Sequence, residues 1–193
     1  VTATVARNAE DDGRLDLDIA ARSRALSATA RGGVRTDHSR FDTLRVDALL
    51  LRPSAVAPNM AGQSIRARLT FDGPFARPTI DYGVTADRLA FGETVLNGLR
   101  ATGQARVEDG RILIPVDARM RGLSGVHPAA AELGGQLTVR GDMAFVDGKL
   151  FADALRVRSD KVDGRAAIML DTRRGYYAGS LNGRVDGFRL DGV

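Results

Sequence analysis

The sequence predicts an all-β protein, a succession of antiparallel β-strands stacked in a solenoid-like way, with one apolar and one charged face. Three observations carry this. Apolar and polar residues alternate with period two in nearly every stretch between turn residues, which gives each strand one apolar and one charged face. Dipeptides ending in glycine punctuate those stretches at hairpin spacing. The apolar content is aliphatic: 44% of residues are hydrophobic, only 5% are aromatic and tryptophan is absent. Compact sandwiches anchor on large rings, so this smooth lining argues against one.

In chain order, Leu15, Leu17 and Ile19 alternate with Asp16 and Asp18, and Leu44, Val46, Ala48 and Leu50 with Arg45 and Asp47. Pro53 to Gly62 interrupts the pattern as a loop with two prolines. It is the expected point of subdivision in residues 1–193, otherwise read as one segment. Ile65, Ala67, Leu69 and Phe71 then oppose Arg66, Arg68, Thr70 and Asp72, and Ile80, Tyr82 and Val84 extend the apolar face. Leu99, Ala101, Gly103, Ala105 and Val107 face away from Arg100, Thr102, Gln104, Arg106 and Glu108.

Asp109-Gly110 and Asp147-Gly148 are type I′ hairpin signals, because both residue types tolerate positive φ. The first leads into Ile112, Ile114, Val116, Ala118 and Met120; the second separates Leu137, Val139, Met143 and Phe145 from Leu155 and Val157, with Ile168 and Leu170 beyond. Gly125 to Gly135 is a second interruption, where Pro128 to Leu133 is expected to form a short helix with proline in its first turn. Asp12-Gly13, Asp163-Gly164, Arg174-Gly175 and Asn182-Gly183 mark further reversals, bulges or points of close packing. The reading gives about a dozen strands of roughly six to nine residues, stacked over some 60 Å.

Chemistry is sparse. Without cysteine there is neither a disulfide nor a thiolate metal site. His38 and His127 lack metal-ligand spacing, and Asp37-His38-Ser39 is too local to align a triad. Carboxylates alternate with arginines on a solvated face, and no glycine-rich phosphate loop precedes a helix. No enzyme activity, metal or cofactor is expected. The net charge of +4 is dispersed and there are three tyrosines, so nucleic acid is not an expected partner. Arg140-Gly141-Asp142 falls within a strand pattern rather than on an exposed integrin-type loop, and Tyr176-Tyr177 reads as strand before it reads as an interface anchor. No apolar run is long enough for a transmembrane helix. The start, Val1-Thr2-Ala3-Thr4-Val5, has neither Met nor a signal-peptide pattern, so the chain is expected to be an excised segment whose anchor lies elsewhere.

Two stretches resemble the TamB family of AsmA-like proteins of Gram-negative bacteria, the alphaproteobacterial members in particular. One is Leu69-Thr70-Phe71-Asp72-Gly73-Pro74-Phe75-Ala76-Arg77-Pro78-Thr79-Ile80-Asp81-Tyr82, continuing through Ala86 to Gly92; the other runs from Leu137 to Leu190 and contains Leu155 to Arg165. The resemblance covers about two thirds of the chain and brings no catalytic residues. It implies an elongated, curved antiparallel β-sheet, a taco-like or solenoid-like groove with an apolar concave face, as a middle section of a longer, repetitive β-groove protein of the periplasm, anchored in the inner membrane and partnered with an outer-membrane TamA-type barrel through parts outside this segment. Phospholipid acyl chains would then be the partners of the apolar face. The lipid-contacting residues would be the apolar ones in the strands above, from Leu15 to Leu170, excluding alanine and glycine. The alternative is a closed β-sandwich or barrel, an adhesin-like binding module whose apolar face is an ordinary core. A parallel β-helix conflicts with the hairpin signals.

Overall fold

The computed structural model describes residues 2–7, 13–108, 110–125 and 135–185. They form strands β1 (Thr2–Arg7), β2 (Arg14–Arg22), β3 (Leu26–Arg35), β4 (Arg40–Leu50), β5 (Met60–Gln63), β6 (Ile65–Pro74), β7 (Thr79–Phe91), β8 (Thr94–Glu108), β9 (Arg111–Met120), β10 (Gly122–Ser124), β11 (Leu137–Val146), β12 (Lys149–Arg158), β13 (Val162–Asp171) and β14 (Tyr176–Val185). All belong to one 14-stranded sheet. Its main path follows chain order from β1 to β14, with β5 and β10 set aside against β7 and β8. Every pairing is antiparallel. β1 and β14 lie at opposite ends of the path and do not pair, so the sheet is open. Neither a closed barrel nor a parallel β-helix is formed.

The turns follow from residue chemistry. Asp147 and Gly148 have φ of 50° and 80°, the left-handed pair that a type I′ hairpin between β11 and β12 requires. Gly110, with φ 81°, turns between β8 and β9, and Gly175 between β13 and β14; Asp12 and Asp109 lie outside the described residues. Asp163-Gly164 and Asn182-Gly183 fall inside strands instead. A Cβ on Gly183 would sit 2.4 Å from the Gly164 Cα, so here glycine serves close packing. Pro53 to Gly62 is a loop only in part, since a 3-10 turn over Pro53–Ala55 is followed by β5. The helix expected at Pro128 to Leu133 lies outside the described residues.

Strands run longer than expected: 13 residues in β7 and 15 in β8, about 50 Å for the latter. The reason is that irregularities are absorbed within strands instead of ending them. Thr43, at φ 54°, is an extra residue of β4, and the register shifts by one on both sides of it, against β3 and against β6. Gly32 faces it at φ 141°, where a Cβ would lie 2.2 Å from the Thr43 carbonyl oxygen. A second bulge lies in β12 between Ala152 and Leu155, and Gly141 stands against it. The glycine of Arg140-Gly141-Asp142 is thereby accounted for by strand geometry.

Little of the chain is fully buried. One cluster joins Ile65, Ala86 and Leu89, and another joins Met120, Leu137, Val157 and Val162; Leu96 and Leu99 pack against both. The sheet also curls. The Asn59 side-chain amide donates to the Gly175 carbonyl, joining the loop before β5 to the β13–β14 turn across 116 residues. That turn is held by Asp171, a buried carboxylate whose Oδ1 accepts the backbone N–H groups of Arg173 and Arg174, each at 3.0 Å.

Two predictions follow from these local devices. Gly32→Ala introduces a Cβ against the bulge and should cost about 1–3 kcal/mol in urea denaturation. Gly83→Ala, where the added Cβ meets nothing within 4 Å, should be neutral or slightly stabilising. The Arg174 N–H, opposed by burial and helped by the Arg173 N–H, holds the Asp171 carboxyl below its ordinary value. A carboxyl depressed in the folded state stabilises the fold above its unfolded pKa, and that stability is lost as pH falls through the folded value. Thermal melts should be flat from neutral pH to about 5 and then decline. Asp171→Asn, which retains the acceptor oxygen, should show a shallower decline.

Candidate functional site

Cross-strand partners in an antiparallel ladder share a face, so the register fixes what each face carries. Starting from Ile65, Leu69 and Phe71 on β6, the partners on β4 are Leu50, Val46 and Leu44. Those on β7 are Ile80, opposite Phe71, Tyr82, opposite Leu69, and Val84, opposite Ala67. On β2, Leu15, Leu17 and Ile19 reach the same face through Val34, Gly32 and Ala30 of β3. In the other direction the face continues through Leu99 and Val107 on β8, and Ile112, Ile114, Val116 and Met120 on β9. It goes on through Leu137, Val139, Met143 and Phe145 on β11, Leu155 and Val157 on β12, and Ile168 and Leu170 on β13. All the apolar positions singled out in the sequence thus stand on one side of one sheet.

The register adds residues that the alternation alone did not assign. Leu26, Ala28, Ala30 and Val34 of β3 share the face, as do Phe41 and Leu150. Leu89 and Leu96 join it because β7 and β8 both change phase where Gly98 adopts φ 61°, a position whose glycine was the available signal. Burial along the face is uneven. Leu155 is 1% exposed and Leu137 3%, whereas Leu26, Ile168 and Leu181 are about 40% exposed or more. Phe41, Phe71 and Phe75 form an aromatic group, with centroids 5.5 Å apart for the first pair and 4.7 Å for Phe41 and Phe75. Tyr82 lies across Gly103 and donates to the Pro115 carbonyl at 2.6 Å. Burial, and then the negative charge of Asp117, raise its phenol above the ordinary value.

The opposite face is charged. Cross-strand pairs join Arg31 to Asp18, Arg68 to Asp47 and Arg140 to Asp117, all largely exposed and so individually weak. Arg158 and then Arg156 hold the Asp163 carboxyl below its ordinary value. A depression of about 670 Å³ opens on this face. Side chains such as Thr29, Asp47, Arg66, Arg68, Thr70 and Asp81 line it. A twisted sheet is saddle-shaped, which allows a hollow on either face.

His38 pairs with the exposed Asp37 at 2.7 Å in the β3–β4 turn, and His127 lies outside the described residues. Among the described residues no three His, Asp or Glu side chains gather as metal ligands would. Tyr176 is 56% exposed, and the Tyr177 side chain lies outside those described. No helix among the described residues is long and apolar enough to cross a membrane. No protein-family model, curated protein or solved structure matches the chain.

The Tyr82 brace is testable. Tyr82→Phe keeps the ring over Gly103 but removes the donor to Pro115, and should lower stability by about 1 kcal/mol in urea denaturation.

Proposed function

We propose that this chain is a section of a hydrophobic groove that conducts phospholipids between the inner and outer membranes and supports outer-membrane biogenesis, in the manner of the TamB family it resembles. The observation that carries the reading is the long apolar face of an open sheet with no second sheet over it among the described residues. A soluble protein rarely leaves so large an apolar surface without a partner. Moving a lipid tail through water costs about 0.8 kcal/mol per exposed methylene, and a continuous aliphatic lining removes that cost. Val, Leu and Ile without polar interruption offer no point at which a chain is specifically held. In this reading the parent protein is periplasmic, anchored in the inner membrane and joined to a TamA-type barrel by parts outside this segment, and no catalytic step is involved.

The purified chain, extracted and analysed by mass spectrometry, should carry copurified phospholipid; lipid-free protein would count against the groove. Leu69→Asp and Ile114→Asp place a charge on the apolar face at half-buried positions. Each should leave a folded sheet by circular dichroism while losing most of the lipid. Ser180→Asp, on the opposite and exposed face of β14, should retain it.

A further inference from the structure

One cross-strand row of the charged face gathers arginines from several strands. It runs by register from Arg22 through Ser27, Leu49, Arg66, Thr85, Arg100 and Arg119 to Thr138, and beyond that to the ion-paired Arg158 and Asp163. Its arginines are exposed, and Arg66, Arg100 and Arg119 have no ion-pair partner among the described residues. Arg100 and Arg119 are directly opposite one another, a like-charge pairing that destabilises a sheet. One row further in, by contrast, Arg68 and Arg140 each have a carboxylate. The loop leaving β4, just past the Leu49–Arg66 pair, exposes Leu51 at 44% and Val56 at 52%, and the backbone N–H groups of Leu51 and Arg52 tie it to Ala25.

We propose that Arg66, Arg100 and Arg119, with Leu51 and Val56, seat the charged face on the surface of an anionic phospholipid bilayer. Unpaired guanidinium groups are suited to phosphate, and the exposed aliphatic side chains of the loop after β4 enter the headgroup region. Arg66 also borders the depression on the charged face, which offers a headgroup a recess with the Thr29 and Thr70 side chains. No aromatic residue stands in the row, so it lacks the stacking platform that single-stranded nucleic acid uses. The arginines project from the face opposite the apolar one, so a lipid lying on that face does not reach them, and this docking is independent of the groove.

Sedimentation with vesicles tests it. The chain should bind vesicles of phosphatidylglycerol and phosphatidylcholine in equal parts, bind pure phosphatidylcholine vesicles far less, and be released at about 1 M salt, where the screening length is ~3 Å. Arg100→Gln with Arg119→Gln should weaken binding about thirty-fold and melt no lower than the native chain, since a repulsion is removed. Arg100→Lys with Arg119→Lys should bind nearly as the native chain does. Leu69→Asp should dock normally even where it has lost copurified lipid, which separates this proposal from the groove. Equal binding to uncharged vesicles, undiminished binding by the glutamine variant, or tighter binding to a single-stranded oligonucleotide than to anionic vesicles would each overturn it.

Discussion

Everything in this molecule depends on the register of one hydrogen-bonded ladder. A sandwich can tolerate a local slip because a second layer holds the side chains in place; the described residues form a single sheet without one. A shift of one residue would turn a strand's aliphatic side to the charged face. The bulges show how this is avoided. Thr43 displaces the register against both neighbours by the same single residue, so Leu44 and Phe41 still stand on the apolar face on either side of it. The β12 bulge does the same for Ala152 and Leu155. Gly32 and Gly141 are the concessions their neighbours make, each leaving out a Cβ where the extra residue crowds the backbone.

With packing supplied within the sheet, burial varies across it, and Leu26 is 40% exposed in the same cross-strand row as the buried Ile65. The aliphatic row through Ile65, Ala86, Met120 and Leu137 is closed by its own neighbours and by Leu96 and Leu99. Ile168 and Leu181, near the β14 end of the sheet, remain open. The ladder supplies cooperativity, the aliphatic row supplies hydrophobic stabilisation, and the exposed ion pairs contribute little beyond favouring correct cross-strand alignment. An apolar face left half-covered in this way has a standing free-energy advantage in acquiring a hydrophobic ligand.

Much of this was legible in the sequence, because period-two alternation states directly which residues share a face. Asp147-Gly148 was equally plain, since a tight reversal needs two residues that accept positive φ. Asp163-Gly164 carries the same letters but lies in mid-strand, where Val162, Gly164 and Ala166 continue the alternation and Gly183 needs the space. Dipeptide identity alone does not separate the two cases. The phase change at Gly98, the bulge at Thr43 and the side strand β5 were not legible either, because each is decided by a neighbouring strand. The arginine row was hidden for a simpler reason: it draws one residue from each strand, at separations that follow no fixed period until the register is known.

The two surfaces differ in how they meet the twist of the sheet. Adjacent strands rotate by roughly 20–25°, so the face normal turns by about 60–75° between β6 and β9. A flat bilayer could therefore engage only a few neighbouring strands, which is why the proposed docking uses Arg66, Arg100 and Arg119 rather than the row as far as Arg22. A flexible acyl chain has no such limit, since it can bend along a twisting surface and stay in contact from strand to strand. The same alternation that places Ile65 beside Arg66 and Leu99 beside Arg100 thus sets an extended apolar surface back to back with a local basic one. A substitution on one face leaves the chemistry of the other intact.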